Sequence, residues 1–374
     1  RLPGVSTLWI DGVPVASHHG IAPFEIDITE QVAAPGPHRL AIAMRQETET
    51  AWASGDTRYA AEITLDTRPA AAITEVRVWP SLRRKCLDLE IATRGAPIGA
   101  AIRAVVSHRG QPVLRIPATP VADGVARLSA AWADPILWEI GRPELLRLDV
   151  ELCDARGAVI DQLPVRSGFK EIWAEGPRLM LNGVPVKLRA TAMECVGPDD
   201  AALSRNALRE RIRRALQFGS QLRQHNNDWD TGLDISDEEG ILTCTYAAWS
   251  PPHGQQALED DALWANLYWV AAKNVRALSN HPAIGLWKLS NEYAETASDP
   301  ELATQRLQRL GEVVRAADPT RPSQAACDLD LRGWNSTAST HYPVDVGAYQ
   351  SPACYLPGAA LWRPESGTFT VGMA

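Results

Sequence analysis

The sequence predicts a multidomain protein in which two β-sandwiches precede a (β/α)8 TIM barrel. Residues 1–68 and 69–166 alternate apolar and polar side chains in short runs separated by turn residues, which is typical of β-sandwiches. From Gly168 onward, short apolar runs alternate with helical patterns, which indicates a parallel α/β architecture. About six strands fit this last part, residues 167–374, whereas a closed barrel needs eight. We therefore expect an incomplete barrel.

The first segment reads as a small antiparallel domain. Residues 6–10 form a strand pattern that runs into Asp11-Gly12, a strong hairpin-turn signal. Residues 24–29 and 39–44 alternate with a period of two and are predicted as further strands. A proline- and alanine-rich stretch near Arg68-Pro69 then marks a linker to the second segment.

The second segment repeats the strand pattern, and the third segment adds helices. In residues 69–166 the predicted strands include 73–79, 87–91, 102–106 and 145–152. In the third segment, Leu208, Ile212 and Leu216 fall on one helical face, and Gly219 stands where a C-cap glycine belongs. Two further helices are predicted around 263–278 and 307–314. The strands predicted between the helices are 186–190, 221–223, 241–246, 283–289, 323–327 and 338–342.

Composition excludes several classes of partner. The chain has 374 residues and a net charge of -8, without a basic block, so neither nucleic acid nor an anionic membrane surface is an expected partner. No apolar run approaches the roughly 18 residues of a membrane span. The six cysteines form no C-x-x-C pair, so we expect no zinc site. Because the chain begins with Arg1 rather than Met, we expect a fragment of a longer protein, truncated at both ends, and the sequence does not indicate a compartment.

The most informative run is residues 281–292, HPAIGLWKLSNE, where an apolar strand pattern ends abruptly in Asn291-Glu292. In a (β/α)8 barrel the chemistry lies at the carboxyl ends of the strands. A carboxylic acid at that position can protonate the leaving oxygen of a glycosidic bond, and the adjacent amide can hold a sugar hydroxyl. The alternative interpretation is a strand that simply runs into a polar loop.

Five motifs in order along the chain resemble glycoside hydrolase family 2, which comprises the β-galactosidases, β-glucuronidases and β-mannosidases. They are WIDG at 9–12 with PFEIDIT at 23–29, the segment from Leu137-Trp138 to GFK at 168–170, LNGVPVKLR at 181–189, DEEGI at 237–241, and HP at 281–282 through Asn291-Glu292. The resemblance spans nearly the whole chain. It implies a jelly-roll remnant in 1–68, an immunoglobulin-like sandwich in 69–166 and a catalytic barrel in 167–374.

The resemblance also implies a mechanism. Family members retain anomeric configuration by using two carboxyl groups about 5–5.5 Å apart, one of them an acid/base and the other a nucleophile. Glu292 matches the acid/base, and Asn291 matches the amide that binds the sugar 2-hydroxyl. We expect burial or the charge of the nucleophile to raise the pKa of Glu292, so that it stays protonated near neutral pH.

Two departures from the family pattern affect the predicted sugar pocket. The family has Arg-x-Ser-His after the second strand, whereas this chain has Arg223-Gln224-His225-Asn226. Arg223 and His225 are predicted to line the pocket, and the alternative is a structural pair at the strand end. After the first strand an expected amide and histidine are missing, and Glu194 is either a sugar ligand or a solvated loop acid.

At the predicted end of the sixth strand, His341 and Tyr342 are expected to contact substrate. Four tryptophans are candidate stacking platforms for sugar rings, although ordinary packing is the alternative for each: Trp229, Trp249, Trp334 and Trp362.

The family resemblance implies a nucleophile at the carboxyl end of the seventh strand. After His341 the remaining acids are Asp345 and Glu365. Asp345 is too near the sixth strand and Glu365 lies in a loop-like sequence, so we expect the nucleophile beyond the end of the chain.

The sequence therefore predicts a retaining glycoside hydrolase acting on β-linked carbohydrates, with no cofactor and no metal site. The alternative is a catalytically inactive carbohydrate-binding or scaffold protein on the same fold. We expect the 374-residue chain itself to be inactive and prone to aggregation, because an unclosed barrel exposes sheet edges. Oligomers are frequent in the family, so a homo-oligomer is an expectation for the parent protein. The identity of the sugar cannot be read from the sequence.

Overall fold

The computed structural model describes residues 5–19, 24–45, 63–175, 178–191, 204–225, 231–248, 254–291, 293, 297–326, 336–340 and 369–372. None of the helices in these ranges is both long enough and apolar enough to span a membrane.

The chain begins with a small antiparallel sheet of three strands: β1 (Val5–Ile10), β2 (Val13–His19) and β3 (Leu40–Arg45). The predicted hairpin is present, since Asp11 and Gly12 both adopt positive φ between β1 and β2. Asp11 also holds β3 in place, because its carboxylate accepts a hydrogen bond from the Arg39 amide at 2.7 Å.

The strand predicted at residues 24–29 is not formed, and this prediction is wrong. The carboxylate of Asp27 accepts hydrogen bonds from the amide and the hydroxyl of Thr29, at 3.0 and 2.6 Å. This local turn satisfies main-chain groups that a strand would need for pairing, and it competes with the extended ladder.

Seven strands between residues 72 and 167 form two antiparallel sheets. The first sheet has the order β4-β5-β8 and the second the order β10-β9-β6-β7. Their bounds are β4 Ala72–Ser81, β5 Cys86–Arg94, β6 Ala101–His108, β7 Gln111–Pro120, β8 Val125–Ala131, β9 Leu146–Cys153 and β10 Val159–Ser167. One buried core joins the sheets, with Ile91 of the first sheet and Ile102 and Val150 of the second inaccessible to solvent. This part of the chain is a β-sandwich, as predicted.

A third three-stranded sheet links the sandwich to the α/β part. It consists of β11 (Ile172–Glu175), β12 (Arg178–Leu181) and β13 (Val184–Val186), paired antiparallel in that order. Ile172, Leu179 and Leu181 share a buried cluster with Leu242 of the α/β sheet and with Trp138 on the sandwich side. This small sheet, which we call the plug, therefore packs against one face of the larger sheet.

The α/β part is one parallel sheet of seven strands in sequence order. The strands are β14 Ala190–Thr191, β15 Leu222–His225, β16 Leu242–Tyr246, β17 Ile284–Asn291, β18 Ser323–Ala326, β19 Ser336–Thr340 and β20 Phe369–Gly372. The expectation of about six strands is therefore corrected to seven. Within the described ranges no pairing joins β14 to β20, so the sheet is not closed into a barrel.

In the described ranges five helices accompany these strands: α1 Arg205–Gln217, α2 Thr231–Glu239, α3 Gln255–Glu259, α4 Asp261–Leu278 and α5 Pro300–Ala317. Local capping sets the starts of the long helices. Ser204 caps α1, and the carboxylates of Asp260 and Asp299 each accept two amide hydrogen bonds at the starts of α4 and α5. The helices expected around 208–216, 263–278 and 307–314 are present, whereas α2 and α3 were not predicted.

The two faces of the sheet have different environments. Leu242 and Leu286 pack toward the plug formed by β11 and β12, on what we call the inner face. Trp287 and Leu289 pack against α4 and α5, on the outer face. Because side chains alternate along a strand, this division fixes which residues of β17 lie on the inner face; in a barrel enzyme the substrate binds where this face reaches the carboxyl ends of the strands.

Candidate active site

The carboxyl ends of the central strands meet along one edge of the sheet. β15 ends at His225, β16 at Tyr246 and β17 at Asn291, and all three strands run in parallel. Glu292 directly follows Asn291 in the sequence. In α/β sheets the crevice outside this edge is where ligands bind, so it is the candidate active site.

The structure covers the predicted site residues unevenly. The main chain of Asn291 and His225 lies in β17 and β15, whereas their side chains fall outside the described part. Glu292, Glu194, His341 and Tyr342 lie wholly outside the described residues. The same holds for four candidate stacking residues, Trp229, Trp249, Trp334 and Trp362, and for Asp345 and Glu365. Their roles stay predictions.

The side chain of Arg223 is described, and the contacts described for it are with a helix. Its guanidinium donates to the carbonyl oxygen of Gly232 at 3.3 Å and to the hydroxyl of Ser236 at 3.0 Å, both in α2. The side chain is buried, with 2 % of its surface exposed. These contacts favour the structural alternative for Arg223, in which it ties β15 to α2.

Three polar residues form a layer on the inner face just below the carboxyl edge. Strand register places Tyr246, Lys288 and Gln324 side by side on β16, β17 and β18. The Lys288 ammonium lies 4.8 Å from the centre of the Tyr246 ring, a favourable cation–π distance. The amide oxygen of Gln324 accepts from the thiol of Cys244 at 3.4 Å. This layer gives the candidate site a polar floor that includes a buried lysine.

Lys288 was not among the site residues predicted from the sequence. Its side chain is 1 % exposed, although lysine is almost never fully buried without a specific environment. The sequence does contain a sign of this position. Lys288 is the one charged residue in the apolar run 284–289, and it lies two positions after Leu286, on the same face of the predicted strand.

Two of the motifs behind the family resemblance meet at the opposite, amino edge of the sheet. The carboxylate of Asp237 lies 2.6 Å from Nδ1 of His281 and accepts from the Ala283 amide at 2.9 Å. The indole N–H of Trp138 donates to the main-chain oxygen of Asp237 at 3.0 Å. Asp237 and His281 therefore join α2, the start of β17 and the sandwich side. In barrels this edge serves stability rather than chemistry.

No family model matches the chain. Curated relatives that it is similar to include proteins named β-galactosidase. The one from Photobacterium profundum is 24% identical over 361 residues, which is 89% of this chain and 33% of the relative. The one from Alteromonas mediterranea is 26% identical over 315 residues, or 76% of this chain and 30% of the relative. The chain thus spans about a third of the length of the curated relatives it matches.

Solved structures with the same fold include a GH2 β-galacturonidase from Eisenbergiella tayi bound to galacturonate. It superposes with a TM-score of 0.72 at 21% identity, over 99% of this chain and 69% of that one. A Bacteroides uniformis β-glucuronidase gives 0.68 at 19% identity, over 91% and 46% of the two chains. The resemblance to glycoside hydrolase family 2 is confirmed.

The amino edge also contains a cluster of potential metal ligands. Single ligand atoms of Asp234, Asp237 and His281 lie within 4.8 Å of one another. The guanidinium of Arg166 forms an ion pair with Asp234 and lies 3.5 Å from the carboxylate of Asp237. A protein cation therefore already compensates the charge of these carboxylates, on the side of the sheet away from Asn291.

A buried lysine lies close to this cluster. The Lys170 ammonium group donates to the main-chain oxygen of Ile284, the first residue of β17, and Nε of Arg321 donates to the same oxygen at 2.8 Å. Burial, reinforced by the charge of Arg321, holds the pKa of Lys170 well below its ordinary value. Burial raises the pKa of Asp318, but the charge of Arg321, 2.6 Å away, and the hydrogen bonds from Thr320, Trp287 and Arg321 together outweigh burial, so the pKa is lowered.

Proposed function

We propose that this chain supplies the acid/base half of the active site of a retaining β-glycosidase, with Glu292 as the general acid/base. The observation that carries the proposal is the position of Asn291 at the carboxyl end of β17, with Glu292 next in sequence. Curated relatives named β-galactosidase support a glycoside hydrolase. The alternative of an inactive carbohydrate-binding protein is not favoured, because these relatives are named as enzymes.

In the proposed mechanism the Glu292 carboxylic acid donates its proton to the glycosidic oxygen as the bond to the anomeric carbon breaks. A second carboxylate attacks the anomeric carbon and forms a glycosyl–enzyme intermediate. The Glu292 carboxylate then removes a proton from the water that hydrolyses this intermediate. The Asn291 amide holds the sugar 2-hydroxyl.

The remaining predicted site residues would bind other hydroxyls of a β-linked sugar. These residues are Glu194, His225, His341 and Tyr342, and their part in the proposal rests on the family resemblance. The proposal also keeps the domain limits 1–68, 69–166 and 167–374, the first as a jelly-roll remnant. For Arg223 we propose the structural role, because its described contacts are to α2.

The nucleophile has no candidate in this sequence at the expected place. β20 is the seventh strand, and residues 369–374 contain neither Asp nor Glu. Glu365 comes four positions before the first residue of β20, on the amino side of that strand rather than at its carboxyl end. The proposal therefore has the nucleophile outside these 374 residues, and we expect no turnover by the chain alone.

The test uses the longest natural form of the protein with a Glu292→Ala substitution. We expect hydrolysis of aryl β-glycosides with poor leaving groups to fall by about a hundredfold to ten-thousandfold, the usual contribution of a general acid. Substrates with dinitrophenolate leaving groups need no protonation and should still form the intermediate. Added azide should then restore turnover and yield a β-glycosyl azide.

The matched control is Glu259→Ala, an exposed glutamate of α3, which should leave all rates unchanged. If Glu292→Ala hydrolysed poor and good leaving groups as the unsubstituted protein does, Glu292 would not be the acid/base. If the unsubstituted protein bound sugars without hydrolysing any aryl glycoside, the whole enzymatic proposal would be wrong.

A further inference from the structure

Tyr293 follows Glu292 in the sequence, and its side chain is buried in the core on the outer face of the parallel sheet. Only 1% of its surface is exposed. It belongs to the same cluster as Trp287 and Leu289 of β17. Because this ring lies in the core behind the sheet, any effect that it has on the reaction must act through the residues next to it.

The Tyr293 ring packs edge-on against Trp264 of α4. The two ring centres are 5.7 Å apart and the ring planes are inclined by 69°, which is the T-shaped geometry that aromatic pairs prefer. Trp264 is itself fixed, because it is inaccessible to solvent and its indole N–H donates to the carbonyl oxygen of Ala257 in α3 at 3.2 Å. The aromatic pair therefore ties residue 293 to α3 and α4.

Asn291 fixes the main chain on the other side of Glu292. It is the last residue of β17 and is paired with Ala326 of the neighbouring strand β18. Glu292 thus stands between two residues that are held by different contacts, one by strand pairing and the other by the aromatic pair. Since consecutive Cα atoms are a fixed distance apart, fixing both neighbours restricts the main chain between them.

Side-chain alternation indicates the direction in which such a main chain would present residue 292. Trp287 and Leu289 lie on the outer face, and Leu286 lies on the inner face. Tyr293 comes four positions after Leu289, an even separation, and lies in the same outer cluster. An extended chain between these two residues would direct position 292 to the inner face.

We propose that Tyr293 is a positioning residue for Glu292, an inference that rests on the proposed function. The burial of its ring against Trp264 holds the main chain so that the Glu292 carboxyl group points to the inner face, within reach of the glycosidic oxygen. A general acid must come within about 2.6–3.2 Å of the atom that it protonates. A misplacement of about 1 Å can lower the rate by about a hundredfold.

The test measures kcat/KM for an aryl β-glycoside with a poor leaving group and divides it by kcat/KM for the dinitrophenyl glycoside. Only the first substrate needs the proton of Glu292. The ratio does not depend on how much of the protein is folded, because both substrates report the same folded fraction. In the longest natural form of the protein, Tyr293→Leu should lower this ratio by about tenfold to a hundredfold. Tyr293→Phe keeps the ring and should keep the ratio.

The matched control is Tyr268→Leu. The Tyr268 ring also packs on Trp264, with ring centres 5.9 Å apart, but Tyr268 lies within α4 rather than beside Glu292. Its replacement removes the same side-chain atoms from contact with the same tryptophan and should leave the ratio unchanged. If Tyr293→Leu does not fold, Trp264→Phe takes its place. It reduces the partner ring without altering residues 291–293 and should lower the ratio in the same direction.

An unchanged ratio in Tyr293→Leu, or an equal fall in Tyr268→Leu, would overturn the positioning role. Glu292→Ala separates this outcome from a failure of the proposed function. If Glu292→Ala lowers the ratio and Tyr293→Leu does not, Glu292 is the acid/base and the role of Tyr293 is wrong. If Glu292→Ala leaves the ratio unchanged, both proposals are wrong.

Discussion

Replacing Lys170 with methionine should change how the stability of the protein depends on pH. Lys170 is buried beneath the start of β17, and burial and Arg321 hold its pKa well below that of an unfolded lysine. In the pH range between these two pKa values, the unfolded chain binds a proton at this position that the folded chain does not. The free energy of unfolding therefore rises with pH in that range and stops rising above the unfolded pKa near 10.4.

The size of the effect follows from proton linkage. One proton bound in the unfolded state and absent in the folded state makes the free energy of unfolding rise by about 1.4 kcal/mol per pH unit. Methionine cannot titrate, so Lys170→Met should lose that slope. Met also removes the donor to the Ile284 carbonyl, but Nε of Arg321 still bonds this oxygen. We expect the variant to be the more stable protein at neutral pH and this advantage to shrink as pH rises.

The assay is urea unfolding of both proteins at several pH values from 7 to 10, followed by tryptophan fluorescence. Lys273→Met, at an exposed position of α4, is the matched control and should keep the slope of the unsubstituted protein. Parallel stability curves for Lys170→Met and the unsubstituted chain would show that Lys170 stays protonated when folded and would refute the reasoning.

Three further substitutions test the contacts that position the site. Trp138→Phe should lower the free energy of unfolding by about 1–3 kcal/mol, because it leaves the buried carbonyl of Asp237 without its donor; urea midpoints measure this. Gly240→Ala should destabilise by about 1–3 kcal/mol, since Gly240 has a φ of 77° and an added Cβ would lie 2.8 Å from the Gly141 nitrogen; an unchanged melting temperature would contradict this. Arg223→Gln should cost about 2 kcal/mol of stability and leave sugar affinity in calorimetry unchanged, whereas a loss of affinity without destabilisation would restore Arg223 to the pocket.

The parts of the fold that could be predicted are those in which local signals agree. α4 has a carboxylate cap at Asp260 and buries one face, so capping and periodicity indicate the same helix. α2 was missed because its two apolar residues serve different clusters: Leu233 packs with α4, and Ile235 packs with α1. The two residues therefore do not form the single apolar helix face that periodicity would reveal. β20 was missed because it has four residues, and only pairing with β19 defines it as a strand.

The site was predicted less completely, and for a different reason. Asn291 could be located because a long apolar run ends there, and this is a local property. The environment of Arg223 depends on where α2 lies, and the layer of Tyr246, Lys288 and Gln324 depends on the register of three strands. Such tertiary relations leave no mark in a single stretch of sequence.

The motifs behind the family resemblance lie at two different edges of the parallel sheet. Asp237 and His281 hold the amino edge together with Trp138, so they join the parallel sheet to the sandwich. Asn291 ends β17 at the carboxyl edge, and Glu292 is next in sequence; in barrel enzymes substrate binds at this edge. Similarity in the first group therefore supports the fold without bearing on the sugar. Under the proposed function, substrate choice would depend on the second edge, where Lys288 is buried beneath the site and residues 223–226 depart from the family pattern.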